Sequence, residues 1–250
     1  MSVVSASPQT DVPDGQGRDT ARTRPEVSVV IAAHNEVDAI ADVVNGVRAV
    51  LPAAELIVVD DGSIDPTGAR AREAGAKVIS LWPNRGKGVA LREGIAASKG
   101  RWLLFIDGDG QDDPADIPRL LEHAADGVGL INGSRFLGTM HRGAISGPNL
   151  IGNIAMTGTL DLLFGAKVTD SQAGFRIFDG DLARRMPLRS REYEIETEML
   201  AKVLRSGMRV VEVPVDRYQR SSGVTDFRRV RNGLRILATI IRERLEPPVR

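Results

Sequence analysis

The chain has 250 residues, 42% of them hydrophobic, enough for one large α/β domain with a sizeable core. Its 33 Lys and Arg balance 33 Asp and Glu, so bulk charge favours neither nucleic acid nor membrane. There is no cysteine, which excludes disulfides, thiolate nucleophiles and Cys-ligated zinc and is compatible with a reducing cytoplasm; the three histidines, His34, His123 and His141, are too scattered for a zinc site.

Residues 1–25 are polar, rich in Pro, Gly, Asp and Thr, and lack apolar periodicity, so they read as a disordered tail. They also lack the continuous apolar stretch of a signal peptide. Val27 to Ala32 is an apolar first strand. A helical pattern then runs through Ile40, Val43, Val44, Val47 and Val50 until Leu51-Pro52 ends it. Glu55 to Asp60 is a second strand, closed by Asp61-Gly-Ser63. A helix over Thr67 to Ala74 starts behind Asp65-Pro66 and stops at Gly75. Lys77 to Leu81 is a third strand, Gly88 to Ser98 a helix, and Trp102 to Ile106 a buried strand. Pro114 to Ala125 reads as a helix and Gly127 to Ile131 as a short strand. Such β/α alternation implies a mostly parallel sheet with helices on both faces.

The rhythm breaks from Arg142 to Asp170. Leu150 to Phe164 is an apolar helix, too short and too polar for a membrane span. Glu192 to Leu204 is a helix carrying Glu194, Glu196 and Glu198, and Arg209 to Val215 is a strand that Pro214 places near an edge. From Phe227 a basic helix repeats Val230, Leu234, Leu237, Ile241 and Leu245 at threes and fours beside Arg228, Arg229, Arg231, Arg235, Arg242 and Arg244. Such a helix either lies on an anionic membrane or docks with a solvated arginine face. The expected organisation is a tail over 1–25, one domain over 26–226 and the basic helix over 227–250, with no membrane span.

Ligands of open α/β sheets bind beyond the carboxyl ends of the strands. Three strand ends here are acidic: Glu36 just past the first, Asp60-Asp61 at the second, and Asp107-Gly-Asp109-Gly-Gln111 after the Trp102 strand. Two carboxylates and an amide oxygen suit Mg²⁺ or Mn²⁺, which bind through one or two carboxylates plus substrate phosphates. Gly108 lets a diphosphate approach the backbone. Taken alone, the same residues make an acidic turn capping a strand, and Asp61-Gly62-Ser63 a tight turn into a helix. Asn84-Arg-Gly-Lys-Gly88 is not a P-loop, because Gly88 stands where Ser or Thr is needed.

Together with Gly133-Ser-Arg135 and Asp170-Ser-Gln-Ala-Gly-Phe-Arg176, these motifs resemble the inverting family 2 glycosyltransferases of the GT-A fold. Within them the set looks most like the dolichol- or polyprenol-phosphate sugar transferases. The resemblance runs from Val27 to Thr225. It implies a nucleotide diphosphate sugar donor, of the GDP-mannose or UDP-glucose type, with base and ribose at Ala32, His34, Glu36, Asp60 and Asp61. Asp107, Asp109 and Gln111 would hold the metal, Lys87 would screen phosphate, and Arg220 would open a loop closing over the nucleotide. Arg135 would grip a phosphate in fork geometry, and Asp170 would be the acceptor-side carboxylate, a general base for a hydroxyl acceptor. The implied acceptor is a polyprenyl phosphate, and the location the cytoplasm or the inner membrane face. The sequence departs from the family in having Thr225-Asp226 where a Ser-Lys pair closes the loop, and Asn149 and Asn153 where the polyprenol branch carries Arg and Ser. Those asparagines favour the alternative of a hydroxyl acceptor. A non-catalytic nucleotide-sugar binder is the alternative of another class, which the complete acidic set argues against.

Overall fold

The computed structural model describes residues 26–220 and 229–246. The expected tail, the Ser221–Thr225 loop and the helix start at Phe227 lie outside the described residues. In chain order the elements are β1 (Val27–Ala33), α1 (Ile40–Val50), β2 (Glu55–Asp61), α2 (Thr67–Glu73), β3 (Lys77–Leu81), α3 (Lys87–Ala97) and β4 (Trp102–Phe105). A 3₁₀ turn at Pro114–Asp116 leads into α4 (Ile117–Leu121). There follow β5 (Val128–Ser134), α5 (Gly147–Phe164), β6 (Arg176–Asp179), α6 (Gly180–Arg185), α7 (Ile195–Ser206), β7 (Arg209–Pro214) and α8 (Arg229–Leu245).

The strands form one seven-stranded sheet in the order β3-β2-β1-β4-β6-β5-β7. β6 runs antiparallel to β4 and β5; every other pairing is parallel. β1, β2 and β4 are covered on both faces, which is why they read as unbroken apolar runs. Their alternation divides the core. Val29, Ile31, Val58 and Leu104 pack with Val43, Val44 and Val47 of α1 on one side. Val30, Ile57, Leu103 and Phe105 pack with Leu91 and Ile95 of α3 and Met199 and Leu200 of α7 on the other. α3 lies tight on the sheet because Gly94 has no side chain: a Cβ there would stand 2.3 Å from a Val30 methyl.

The chain moves outward from β1 to β2 and β3, then returns to place β4 on the other side of β1. This reversal leaves a crevice between the carboxyl ends of β1 and β4, the place where open α/β sheets bind ligands. The strand expected at 209–215 is indeed at the sheet edge, so Pro214 leaves no internal ladder unmade. The helix expected over Pro114–Ala125 is shorter, with Pro118 inside its first turn. β6 and α6 were not anticipated; the four residues Arg176-Ile-Phe-Asp179 carry too little periodicity to separate from a loop.

α8 packs on α5 and α7. Its inward face is Asn232, Ile236, Thr239, Ile240 and Glu243, all buried. Glu243 is fully buried and receives Lys202 Nζ at 2.9 Å and Arg205 Nη1 at 2.9 Å. The Val230/Leu234/Ile241/Leu245 stripe is therefore not the docked face; those four side chains are exposed.

Candidate active site

A cavity of about 360 Å³ occupies the crevice. β1 delivers Ala32 and Ala33 to its floor, with His34 and Glu36 beyond. The turn after β1 is held by Asn35, in the left-handed region at φ 54°, which Asn tolerates better than most residues. Its N–H donates to Ser63 Oγ at 2.9 Å and its Oδ1 accepts from Ile64 N–H at 2.9 Å, pinning the β1 exit to the β2 exit. His34 shares a 3.1 Å contact between Nε2 and Asn35 Nδ2, while its buried Nδ1 has no hydrogen-bond partner among the described residues.

At the end of β2 the adjacent aspartates diverge, because successive side chains on a strand point to opposite faces. Asp61 enters the cavity wall and accepts from the N–H groups of Arg85 and Gly86, both at 2.8 Å, which fastens the loop before α3. Asp60 points under α2: its Oδ1 accepts from Ser63 N–H at 3.1 Å, and a Cβ on Gly68 would be 2.5 Å from its Oδ2. It is not among the residues lining the cavity.

Lys87 opens α3 and reaches two carboxylates, Asp107 Oδ1 and Glu196 Oε1, each at 2.7 Å. Burial opposes its charge, but Asp107 and Glu196 outweigh it and hold the ammonium above its usual range. For Asp107, burial is likewise outweighed, here by Lys87 and Arg217, and the carboxyl is held down. Asp109 behaves oppositely. Burial, joined by the like charges of Asp107 and Asp112, raises it despite Arg217. Burial also pushes Glu36 up to about 7, against the pull of Arg220 and with help from Asp109. Arg220 pairs with Glu36 and stands 3.8 Å from Asp109 Oδ2. Gly108 is buried behind this row, between Ala33 and Ile40.

The acidic row also meets a cation that the sequence reading overlooked. Arg217, only 8% exposed, places Nη1 2.6 Å from Asp112 Oδ1 and Nη2 3.7 Å from Asp109 Oδ2 and 3.9 Å from Asp107 Oδ2. Its Nη2 also donates to Gln111 Oε1 at 3.0 Å. The Gln111 amide nitrogen donates to the carbonyls of Tyr218 at 2.9 Å and Ala144 at 3.2 Å. Gln111 thus braces the segment beside the acids, with its oxygen already engaged. No sequence motif flags Arg217. Glu196 had a weak signal, being one of three glutamates at the start of a helix whose first nine residues prove buried.

Arg135 and Asp170 lie outside the cavity lining and form a unit of their own. Asp170 is fully buried. Its Oδ2 accepts from Arg135 Nε at 2.6 Å and its Oδ1 from Arg135 Nη2 at 2.8 Å. Asn153 Nδ2 at 3.1 Å and the N–H of Gln172 at 3.1 Å add to Oδ1. Burial disfavours the charge, but Arg135, with help from Asn153, holds the carboxyl down at about 2. Arg176, at the end of the same motif, spends its guanidinium on the Glu196 and Ser171 carbonyls. From the C-terminal helix, Arg231, Asn232 and Arg235 line the cavity, a contribution that helical periodicity did not reveal.

A divalent cation fits this donor set in part. Asp107 and Asp109 stand at one strand end, and Gly174 leaves room at Asp107, since a Cβ there would lie 2.6 Å from Asp107 Oδ2. Among the described residues no three His, Cys, Asp or Glu side chains could hold a metal by themselves. Two carboxylates completed by substrate phosphates are the usual arrangement for such ions.

The glycosyl transferase family 2 model matches residues 28–189, the stretch containing every one of these strand ends. The chain belongs to glycosyl transferase family 2. It is 31% identical to the glycosyltransferase AglJ of Haloferax volcanii over 83% of this chain and 68% of that one. It is 28% identical to the dolichyl-phosphate hexose transferase of the same organism over 92% and 99%. Among solved structures, glucosyl-3-phosphoglycerate synthase from Mycobacterium tuberculosis, in complex with Mn²⁺, UDP-glucose and phosphoglyceric acid, superposes with a TM-score of 0.71 at 23% identity, covering 89% of this chain and 81% of that one. The GT-A fold is thereby shown, and the protein is a glycosyltransferase. Among the described residues no helix is long and apolar enough to cross a membrane.

Proposed function

We propose that this glycosyltransferase moves a hexose, with inversion, from a nucleotide diphosphate sugar to a polyprenyl phosphate. The donor half rests on the convergence of Glu36, Asp61, Asp107 and Asp109 on one cavity at the point where strand order reverses. His34, Glu36 and Asp61 offer acceptors and a ring to base and ribose, and Arg220, Arg231 and Arg235 offer charge to the diphosphate. Asp107 and Asp109 would hold Mg²⁺ or Mn²⁺, which when bound neutralises charge on the departing diphosphate. The solved relative with Mn²⁺ and UDP-glucose supports this reading. Lys87, now between Asp107 and Glu196, keeps the Asp107 carboxylate ionised and oriented.

The acceptor half is carried by one observation: Asp170 is sealed against Arg135 with its carboxyl at about 2. A hydroxyl acceptor requires a base to take its proton, and a carboxylate so engaged is a poor one. A phosphate is already anionic and requires only positioning and charge screening. On this reading Asp170 is a positioning residue: it takes the Nε and Nη2 edge of Arg135, so the fork expected to grip a phosphate is spent on Asp170 and Nη1 would be the group that meets the acceptor. The name of the dolichyl-phosphate hexose transferase relative points the same way. A hydroxyl acceptor is the second reading, favoured by Asn149 and Asn153, which bring no cation to the acceptor side; Asn153 instead bonds to Asp170. Turnover with a panel of nucleotide sugars against short polyprenyl phosphates and hydroxyl acceptors, read by mass spectrometry, separates the two. Transfer to hydroxyls alone would sink the phosphate reading.

A further inference from the structure

Two neighbouring helices leave apolar faces uncovered. On α5, Ile151, Ile154 and Leu162 are 70%, 57% and 83% exposed, and Ala155 and Gly158 share their face. On α8, Val230, Leu234, Ile241 and Leu245 are 79%, 64%, 46% and 80% exposed, with exposed Ala238 between them. The spacings of three and four keep each set on one side of its helix. Of the eleven large apolar side chains exposed among the described residues, these two helices hold seven. α5 and α8 pack against each other, and Arg244 Nε donates to the Leu163 carbonyl at 2.8 Å, so the faces adjoin. Scattered apolar residues need no explanation, but a concentration on adjoining helices marks an interaction surface.

The charges on the two helices favour one occupant. The acids of both helices are engaged within the chain. Asp161 of α5 accepts from Val168 N–H at 3.1 Å, and Glu243 of α8 is fully buried against Lys202 and Arg205. The exposed cations stay outside: Arg231 and Arg244 flank the α8 stripe, and exposed Lys167 follows α5. A second copy of the chain, meeting this face with its own, would set cation against cation without an exposed acid from either helix to neutralise them. An anionic lipid surface supplies the missing charge and accepts the apolar side chains into its interfacial layer.

We infer that the α5–α8 face docks this protein onto anionic bilayers, with both helices lying in the interface. α8 would then have two working edges, since its Arg231, Asn232 and Arg235 line the donor cavity. In its purpose, though not in its geometry, the inference rests on the lipid-acceptor reading, because an enzyme serving a bilayer-resident acceptor must reach the bilayer.

The test is flotation of the full-length protein with vesicles of phosphatidylcholine alone and of phosphatidylcholine with phosphatidylglycerol. Leu162→Glu and Leu234→Glu are the variants. Both positions are well exposed, so wild-type unfolding midpoints are expected and serve as the folding control. The wild type is expected to float with the anionic vesicles and to be released by salt. Each variant should bind roughly tenfold more weakly or worse, the loss of one interfacial leucine. Failure of the wild type to float, or variants that float as well as it does, overturns the inference. A solution dimer that either substitution dissolves, without vesicle binding, also overturns it and makes the face an interface between copies. Salt-sensitive flotation without transfer to any lipid phosphate keeps the docking face and sinks the acceptor reading; transfer in detergent without flotation does the reverse.

Discussion

Replacing Asp170 by Asn keeps the side-chain volume and removes its charge. Asp170 is fully buried, and its oxygens accept from Arg135 Nε at 2.6 Å, Arg135 Nη2 at 2.8 Å and Asn153 Nδ2 at 3.1 Å. The carboxyl is held at about 2, mainly by Arg135 acting against burial. Relative to a free aspartate at about 3.9, that corresponds to about 2.5 kcal/mol of native-state stabilisation. Because the folded value is depressed, this contribution is complete above about pH 4 and disappears as pH falls through about 2. The variant also strands a buried guanidinium, and removing one partner of a buried pair typically costs about 3–5 kcal/mol. Both routes point to about 3 kcal/mol, which for a domain of this size lowers Tm by roughly 6–12 °C. Thermal unfolding of Asp170→Asn, Arg135→Gln and the double variant at neutral pH measures it, with a coupling well above the roughly 0.5 kcal/mol expected of independent sites. Turnover well below the new Tm separates positioning from proton transfer. If Asp170 positions Arg135, the acid limb of the wild-type pH–rate profile survives in the variant. An unchanged Tm, a rate loss of roughly 10²–10⁴-fold and a vanished acid limb would show instead that Asp170 is a base.

Asp109→Ala should abolish turnover without lowering Tm, because burial and the neighbouring Asp107 and Asp112 already disfavour that carboxylate. Chelation should do the same reversibly, and full activity in excess EDTA would refute the metal assignment. Gly174→Ala should raise the donor KM roughly tenfold or more by displacing Asp107, whose Oδ2 would face a Cβ at 2.6 Å; a wild-type KM would show that Asp107 has room to shift. Glu36, pushed up to about 7 chiefly by burial, destabilises the fold as pH rises above its unfolded value toward that point. Metal-free Glu36→Gln should therefore gain stability over the wild type between about pH 5 and pH 8, with little difference at lower pH. Denaturant midpoints across that range would expose a wrong sign.

The β1, β2 and β4 strands, their helices and the crevice were readable from the chain because local chemistry carries them. Strands buried on both faces must be apolar throughout, and ligand-facing carboxylates must stand where those runs end. That logic located Glu36, Asp61, Asp107 and Asp109 correctly in one cavity. Partnership is a different matter, because it depends on groups far apart in sequence. Lys87 meets Glu196 across 109 positions, and Arg217 meets Asp109 across 108, contacts that exist only once α7 and the segment after β7 close on β4. The same closure engaged the Gln111 oxygen with Arg217. Strand alternation had already turned Asp60 away from its neighbour, and the approach of the segment before β6 to the end of β5 sealed Asp170 against Arg135. α8 shows the division most plainly. Its periodicity foretold an apolar stripe, but packing on α5 and α7 decided which face is covered. The buried side holds Asn232, which lines the cavity, Glu243, which meets Lys202 and Arg205, and Thr239, and the apolar stripe is left outside.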